Sequence, residues 1–367
     1  MKMKASFSFL VEMSAINLSV GCNLYPIQHS NIMEWLFPVY NYTEKRLVNF
    51  RISDIFSDSY RNAFEEFIHY YVPDLIATVP DRIPKLKPRH ERVCRFCKRD
   101  ATQVKFRKDA HVIPQITGNK FLIHNSECDE CNARFSLFET SFAEHIGMFR
   151  TTDGLMGQRG IPKFKNQGLS AYSEKDETGK YNIFIEAALS DKAIRNEKDD
   201  TIIFKTTKGP FTPLFVMKTL FKIGYSLLHE SEIDNYYHIN RILNTSEFDN
   251  KLYNYCNVLA FTFSKSITKP FVVTYRRRQE FADEPIPSKI VMLYFGRFMY
   301  EFVLLNSKDD FMIRKDGKAR ILYCPPYWNK NDETPTQRLI DFSSPVPTRQ
   351  EESFLFRFDP SNNEKTE

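Results

Sequence analysis

The sequence predicts an α+β, multidomain chain, with a small metal-stapled unit in its first half and a larger mixed α+β C-terminal domain. A chain of 367 residues is longer than one small core organises. Four of its seven cysteines form two CxxC pairs, Cys94/Cys97 and Cys128/Cys131, which point to a compact metal-bound unit rather than a disulfide scaffold. Beyond about residue 170 the apolar spacing switches between strand and helix periods. The expected divisions are 1–80, mixed and helical; 81–150, the cysteine-rich unit; 151–345, the C-terminal α+β domain; and 346–367, a polar tail ending in PSNNEKTE.

The first 80 residues alternate short apolar runs with polar breaks. Lys2 and Lys4 open the chain, but Glu12 and Asn17 interrupt the apolar run behind them, so a secretory leader is not expected. No run of about 18 apolar residues occurs, so no transmembrane helix is expected either. Tyr60, Phe64, Phe67 and Tyr71 share one face of a helix that Asp58 or Ser59 would cap. Pro80, Pro84 and Pro88 then make VPDRIPKLKPRHER the best candidate linker.

Charge concentrates at that linker. Residues 82–108 carry eleven Lys and Arg against Glu91 and Asp100, a net +9, while the whole chain sums to +5 and the remainder therefore to −4. A solvated charged face is the ordinary reading of such a run. Beside a cysteine cluster it also suits a polyanion, and phosphate backbones are the usual one. Lys85, Lys87, Arg89, Arg92, Lys105, Arg107 and Lys108 are the candidate nucleic-acid contacts.

After the cysteine-rich unit, RTTDGLMGQRGIPKFKNQG holds four of the chain's 12 glycines without a helix or strand period. It reads as an irregular connection, with Arg150, Arg159, Lys163 and Lys165 toward the polyanion. A hairpin is expected around Thr178-Gly179, with Tyr181, Ile183 and Ile185 on one face, and DDTIIFKTTKG is a further strand. Thr212 and Pro213 are N-cap and first helical residue of a helix whose buried stripe is Val216, Leu220, Ile223 and Leu227; helical segments run on to about 255. VLAFTFSK, PFVVTY and SKIVMLYFGRFMYEFVLL are strand-rich. The YRRRQ segment at 275–279 is either a phosphate contact or a solvated strand end.

Two CxxC pairs match tetrahedral zinc, because each turn aims two sulfurs at one ion about 2.3 Å away. Four sulfurs leave no open position, so the zinc is expected to be structural. An odd cysteine count with two such pairs also points to a reducing cytoplasm. Between the pairs, Lys105 to Ile113 can form a strand ending at Pro114, with Asp109 and His111 on one face. Behind the second pair, Phe135, Phe138, Phe142, Ile146 and Phe149 form a helix stripe for the core, and Asn132, Ser136 and Glu139 lie on another face.

Taken together, CRFC, DAHVIPQ and HNSECDECNARFS resemble the HNH endonucleases of the four-cysteine type over about residues 94–145. The resemblance implies a ββα-metal nuclease unit folded around the zinc knuckle. It implies that His111 is the general base, Asn125 the asparagine that holds the loop and orients the base, and Asn132 a ligand of a catalytic Mg²⁺ or Mn²⁺. A neutral histidine near its ordinary pKa suits proton abstraction from water. The family commonly carries an acidic residue or histidine just before the base, where this chain has Ala110. Asp109 is the nearest substitute as a metal ligand, and Glu139 the second candidate. A satisfied buried histidine is the bland reading of His111. His124 is expected to be structural and His145 to lie on the helix surface.

The leading expectation is a metal-dependent DNA endonuclease, with RNA as the alternative substrate. Its layout resembles bacterial restriction or anti-phage nucleases, with a homo-oligomer, activating partner or ligand acting through the C-terminal domain. The other reading is a non-catalytic zinc-knuckle protein that only binds nucleic acid. A third is an assembly protein that dimerises through the aromatic-rich C-terminal domain.

Overall fold

The computed structural model describes residues 16–17, 36–41, 46–51 and 58–357, apart from 158, 167–168, 176, 178–180, 188–192, 197–200, 246–254, 312, 314–318 and 327–333. The expectations about a leader, the Thr178-Gly179 turn, helix up to 255 and PSNNEKTE lie outside the described residues. In chain order the strands β1 (Ile16–Asn17), β2 (Leu36–Asn41) and β3 (Arg46–Arg51) form one antiparallel sheet. Helix α1 (Asp58–Tyr70) and strand β4 (Tyr71–Thr78) follow. The cysteine-rich unit contributes α2 (Asp129–Ile146) and α3 (Phe149–Thr152). Then come β5 (Phe164–Asn166), β6 (Leu169–Lys175), β7 (Tyr181–Ala187), β8 (Ala193–Asn196), β9 (Thr201–Thr207), α4 (Pro213–Ser226) and α5 (Tyr237–Asn244). Finally come β10 (Asn257–Arg277), β11 (Lys289–Val303), β12 (Thr336–Asp341) and β13 (Glu351–Arg357). The chain is α+β, as its patterns predict.

The central sheet is built on β10. VLAFTFSK and PFVVTY are one strand, broken in register on either side of Ile267. Pro270 lies in the second break, where its missing N–H cannot serve the ladder. The first half pairs with β12, the second with β4, and both with β11. Gly296 sits at φ 51° inside β11, and a Cβ there would come within 2.9 Å of Asp153 Oδ2. That approach lets Asp153 receive Arg297 through its backbone N–H (3.0 Å) and its guanidinium (2.7 Å from Nε).

Two boundaries differ from the sequence reading. Helix α1 and β4 pack into the same core cluster as the C-terminal sheet, Phe64, Phe67 and Tyr71 included, across the expected division at 80. The sequence shows their apolar face but not its distant partner. Glu351–Arg357 is no tail: it pairs along its whole length with β9, because Phe354 completes a second small core with Leu169, Ile183 and Ile185.

Helix α4 is buried all round, as expected of a helix apolar on every face. Thr212 is its N-cap and Pro213 its first residue, and Val216, Leu220 and Ile223 are fully buried; the helix stops before Leu227. Helix α2 buries Phe135, Phe138, Phe142 and Ile146, and ends at Gly147, φ 62°, so Phe149 starts a new turn.

His145 is not on the surface. It is 3% exposed, with Nε2 2.9 Å from the Tyr300 hydroxyl and its ring against Phe211 and Phe342. Its neighbours on α2 are polar enough to suggest a solvent face, but β11 covers that face. Burial, aided by Lys208, holds its pKa well below the usual 6.5. The unfolded chain then binds a proton that the folded chain refuses, so stability falls as pH drops below 6.5. Between pH 7.5 and 5.5 this one ring should cost about 1.4 kcal/mol. Urea unfolding at both pH values should show that His145→Gln removes about that share of the acid loss; an unchanged loss would contradict the assignment.

Candidate metal centre and active site

The first CxxC pair lies in a tight hairpin turn. Cys94 N donates to Arg99 O (2.8 Å) and Lys98 N to Cys94 O (2.8 Å), which puts Lys98 in the left-handed region at φ 63°. The second pair is set by α2, with Cys128 as N-cap and Cys131 in its first turn. Cys94 and Cys131 Sγ are 3.8 Å apart, as are Cys97 and Cys128 Sγ, and all four sulfurs lie within 4.8 Å of one another. A zinc tetrahedron with 2.3 Å bonds has edges of about 3.8 Å, so the thiols fit the ion closely. The Cys131 hydrogen bond, against burial and with the backbone N–H groups of Cys97, Cys128 and Phe96, pulls the Cys94 thiol down to about 5. Burial raises the Cys128 thiol and the Cys94 hydrogen bond raises Cys131, so without an ion the cluster favours the thiolate at Cys94 but not at these two, and an ion would have to displace their protons.

Between the pairs no regular strand runs over Lys105–Ile113. An isolated antiparallel bridge joins His111 to Ile123, flanked by Val112 N donating to Leu122 O (3.1 Å) and His124 N to Ala110 O (2.7 Å). The segment before it is held by α2 instead: Asp129 Oδ1 accepts Arg107 N (2.8 Å) and Lys108 N (3.0 Å). With its backbone donors used by a helix-borne carboxylate, this stretch has no need of a partner strand.

His111 is half-buried and sits among groups that keep it neutral. Burial, then the charge of Lys222, lowers its pKa to about 4, against a smaller opposite pull from Asp109. The side-chain amide of Gln115 lies with Nε2 3.0 Å from His111 Nε2. An amide nitrogen can only donate, so His111 Nε2 is the lone-pair nitrogen and the ring proton sits on Nδ1. The ring is thus neutral at pH 7 and able to accept a proton, but with a pKa below the ordinary value that the sequence leads one to expect it is a weaker base. His124 has the structural place expected of it: it is buried, and its Nδ1 accepts Ser126 N at 2.9 Å.

The loop-holding asparagine is Asn119, which the sequence reading passed over. It is fully buried, its Nδ2 donates to Ile113 O (2.6 Å) and Leu122 O (3.1 Å), and its Oδ1 accepts Phe121 N (3.2 Å) and Leu122 N (2.9 Å). Asn125 instead reaches the basic linker, its Oδ1 accepting Lys87 N at 3.1 Å. Asn119→Ala leaves buried backbone groups unpaired and should cost about 3 kcal/mol, Asn125→Ala under about 1 kcal/mol. Denaturant unfolding of the two variants checks the order, and a larger loss at Asn125 would contradict it.

For a second, catalytic ion the chain offers less. Among the described residues the four cysteines are the only cluster of three or more His, Cys, Asp or Glu side chains that could hold a metal. Glu139 is paired with Lys222 at 3.4 Å. Ala110 is buried, 1% exposed, with no donor to offer. What the unit presents is the exposed Asp109 carboxylate and the half-buried Asn132 amide in the first turn of α2. Each is an oxygen donor of the hard type that Mg²⁺ or Mn²⁺ takes beside waters and phosphate oxygens.

The basic linker is mostly open. Lys85, Lys87, Arg89, Lys105, Arg107 and Lys108 are exposed, though Arg107 pairs with Asp129 at 3.1 Å and Lys87 faces Glu230 at 3.9 Å. Arg92 is buried, with Nε donating to Lys87 O at 2.9 Å, so it shapes the linker rather than meeting a phosphate. Arg150 is only half-exposed. In YRRRQ, Arg277 is buried on the carbonyls of Glu284, Ile286 and Asp309. Spacing alone cannot tell a guanidinium that binds carbonyls from one that faces solvent.

Four cysteines placed to hold one ion, with a bridged hairpin that carries a neutral histidine ahead of a helix, make a small HNH-like metal-binding unit. Residues 94–145 match the family model of the HNH endonucleases, so the chain carries an HNH endonuclease domain over 52 of its 367 residues. Comparison with curated proteins and with solved structures gave no match. Among the described residues no helix is long and apolar enough to cross a membrane.

Proposed function

We propose that the protein is a metal-dependent DNA endonuclease in which His111 is the general base. The observation that carries this reading is the histidine kept neutral, with its lone pair on Nε2, inside the family-matched segment. Phosphodiester hydrolysis needs a water deprotonated as it attacks phosphorus. A hydrogen-bond donor already stands 3.0 Å from Nε2, at Gln115, in the relation that an attacking water would adopt. Asp109 and Asn132 would hold the divalent ion, Mg²⁺ or Mn²⁺, which when bound supplies positive charge to the phosphate and leaving oxygen. Lys85, Lys87, Arg89, Lys105 and Lys108 would meet the backbone, which sets register and salt dependence rather than sequence.

The layout of a small cutting unit inside a larger chain supports a role in bacterial restriction or anti-phage defence, in the cytoplasm, with residues 151–345 receiving an activating ligand or partner. The buried Ala110 favours one other reading, a zinc-knuckle module that binds DNA without cutting it. Supercoiled plasmid with Mg²⁺ or Mn²⁺ separates the two. The nuclease reading expects nicked and linear products with 3′-hydroxyl and 5′-phosphate ends. Retarded plasmid that stays supercoiled under both metals would favour the binding module.

A further inference from the structure

Helix α4 lies outside the family-matched segment, yet one of its side chains reaches into it. Lys222 is 1% exposed and its ammonium donates to the backbone carbonyl of His111. The same ammonium lies 3.4 Å from Glu127 Oε2 and 3.4 Å from Glu139 Oε1. Glu127 precedes Cys128, and Glu139 projects from the middle of α2. One buried cation therefore ties the hairpin that carries the candidate base, the approach to the second cysteine pair, and α2. Burial would push the ammonium down, but the two carboxylates outweigh it and hold its pKa above the usual value, so it is charged.

A buried lysine on an otherwise apolar helix is costly unless its partners are placed for it. Lys218, one turn earlier and 2% exposed, shows the plainer use: it donates to Thr245 O at 2.7 Å and lies over the Phe138 ring. Lys222 differs in what it holds. The hairpin it grips is short: beside the His111–Ile123 bridge, its flanking backbone bonds and the Asn119 clamp, the Lys222 ammonium adds a hold from a distant helix on the backbone of the residue that carries the ring. Other residues dock the same unit without touching that hairpin. Arg95 Nη1 donates to the carbonyls of Tyr225, Ser226 and Leu228, and Asn240 and Asn244 donate to Phe96 O.

We propose that Lys222 is a positioning residue for His111: by gripping the His111 carbonyl from α4, it sets the base, so the C-terminal region completes the active site of the unit at 94–145. This rests on the nuclease reading of His111, and the experiment keeps the two apart. Full-length wild type, Lys222→Met, Lys222→Met with Glu127→Gln, and Lys218→Met are compared for plasmid cleavage under Mg²⁺ or Mn²⁺. Bound zinc, melting temperature and amide exchange at Val112 and His124 are measured on each.

Misplacing a base by an ångström costs on the order of 100-fold. Lys222→Met should therefore lower kcat by about 10- to 100-fold, with KM changed less than about threefold and zinc retained. The double variant replaces the Glu127 carboxyl, which burial already raises to about 7 and which would have to take up a proton once Lys222 is gone, by a neutral amide; it should regain melting temperature but not kcat. Both should exchange the Val112 and His124 amides about tenfold faster than wild type, and Lys218→Met should do neither. A double variant that cuts like wild type, or unchanged amide exchange in Lys222→Met, would overturn the proposal. If wild type itself does not cut, the nuclease reading fails, and the amide exchange alone decides whether Lys222 sets the hairpin.

Discussion

Full-length protein carrying His111→Ala should cut DNA about 100- to 10,000-fold more slowly than wild type, the range a general base contributes. Binding and folding should persist, because the ring is only half-buried and its hydrogen bonds are local, to Gln115 and to the backbone of Asp109 and Lys120. The lowered pKa of His111, about 4, adds a second expectation. A base must be deprotonated to act, so cleavage should be lost as pH falls through about 4 and hold between pH 5 and 7, rather than fall through the ordinary 6.5. A pH series on zinc-loaded protein, corrected for unfolding, reads this directly. An acid limb near 6.5 would mean that the ring is solvated during catalysis, or that another group is the base.

Zinc removal should have the largest effect on stability. A structural zinc contributes about 10–16 kcal/mol to a small site, as much as the whole stability of a typical domain. Cys128 is fully buried and is both a thiol of the cluster and the N-cap of α2. Cys128→Ser should therefore release zinc and unfold residues 94–145, and a strong chelator should do the same to wild type. The damage should spread to α4 and α5, whose ends are held by Arg95 and the carbonyl of Phe96. Zinc content measured with thermal unfolding tests this. A zinc-free Cys128→Ser protein that melts as wild type does would contradict the structural role.

The cysteine pairs were legible because metal ligation imposes a local spacing, and their sulfurs do converge. The two long helices were legible from apolar period and caps, α4 from Thr212-Pro213 and α2 from its phenylalanines. What escaped is non-local. The polarity of His145 gave no hint that Tyr300, 155 residues away, would pair with it. Asn119 and Asn125 are chemically alike, yet Asn119, just after the turn at Gly118 (φ 98°), closes the loop while Asn125 reaches the linker. Lys222 carried a signal that could have been used: a lysine on a helix with apolar residues on every face has to find a buried anion or carbonyl. Which one it finds depends on how α4 lies against α2, and no pattern within either helix contains that.

The most direct test is a time course of supercoiled plasmid with zinc-loaded wild type, Mg²⁺ or Mn²⁺ being added to protein stripped of loosely held ions. A neutral base with a partial oxygen shell predicts no cutting without the added ion, and accumulation of nicked then linear plasmid with it. Plasmid that remains supercoiled with either ion, while zinc stays bound and the protein stays folded, would contradict the nuclease reading.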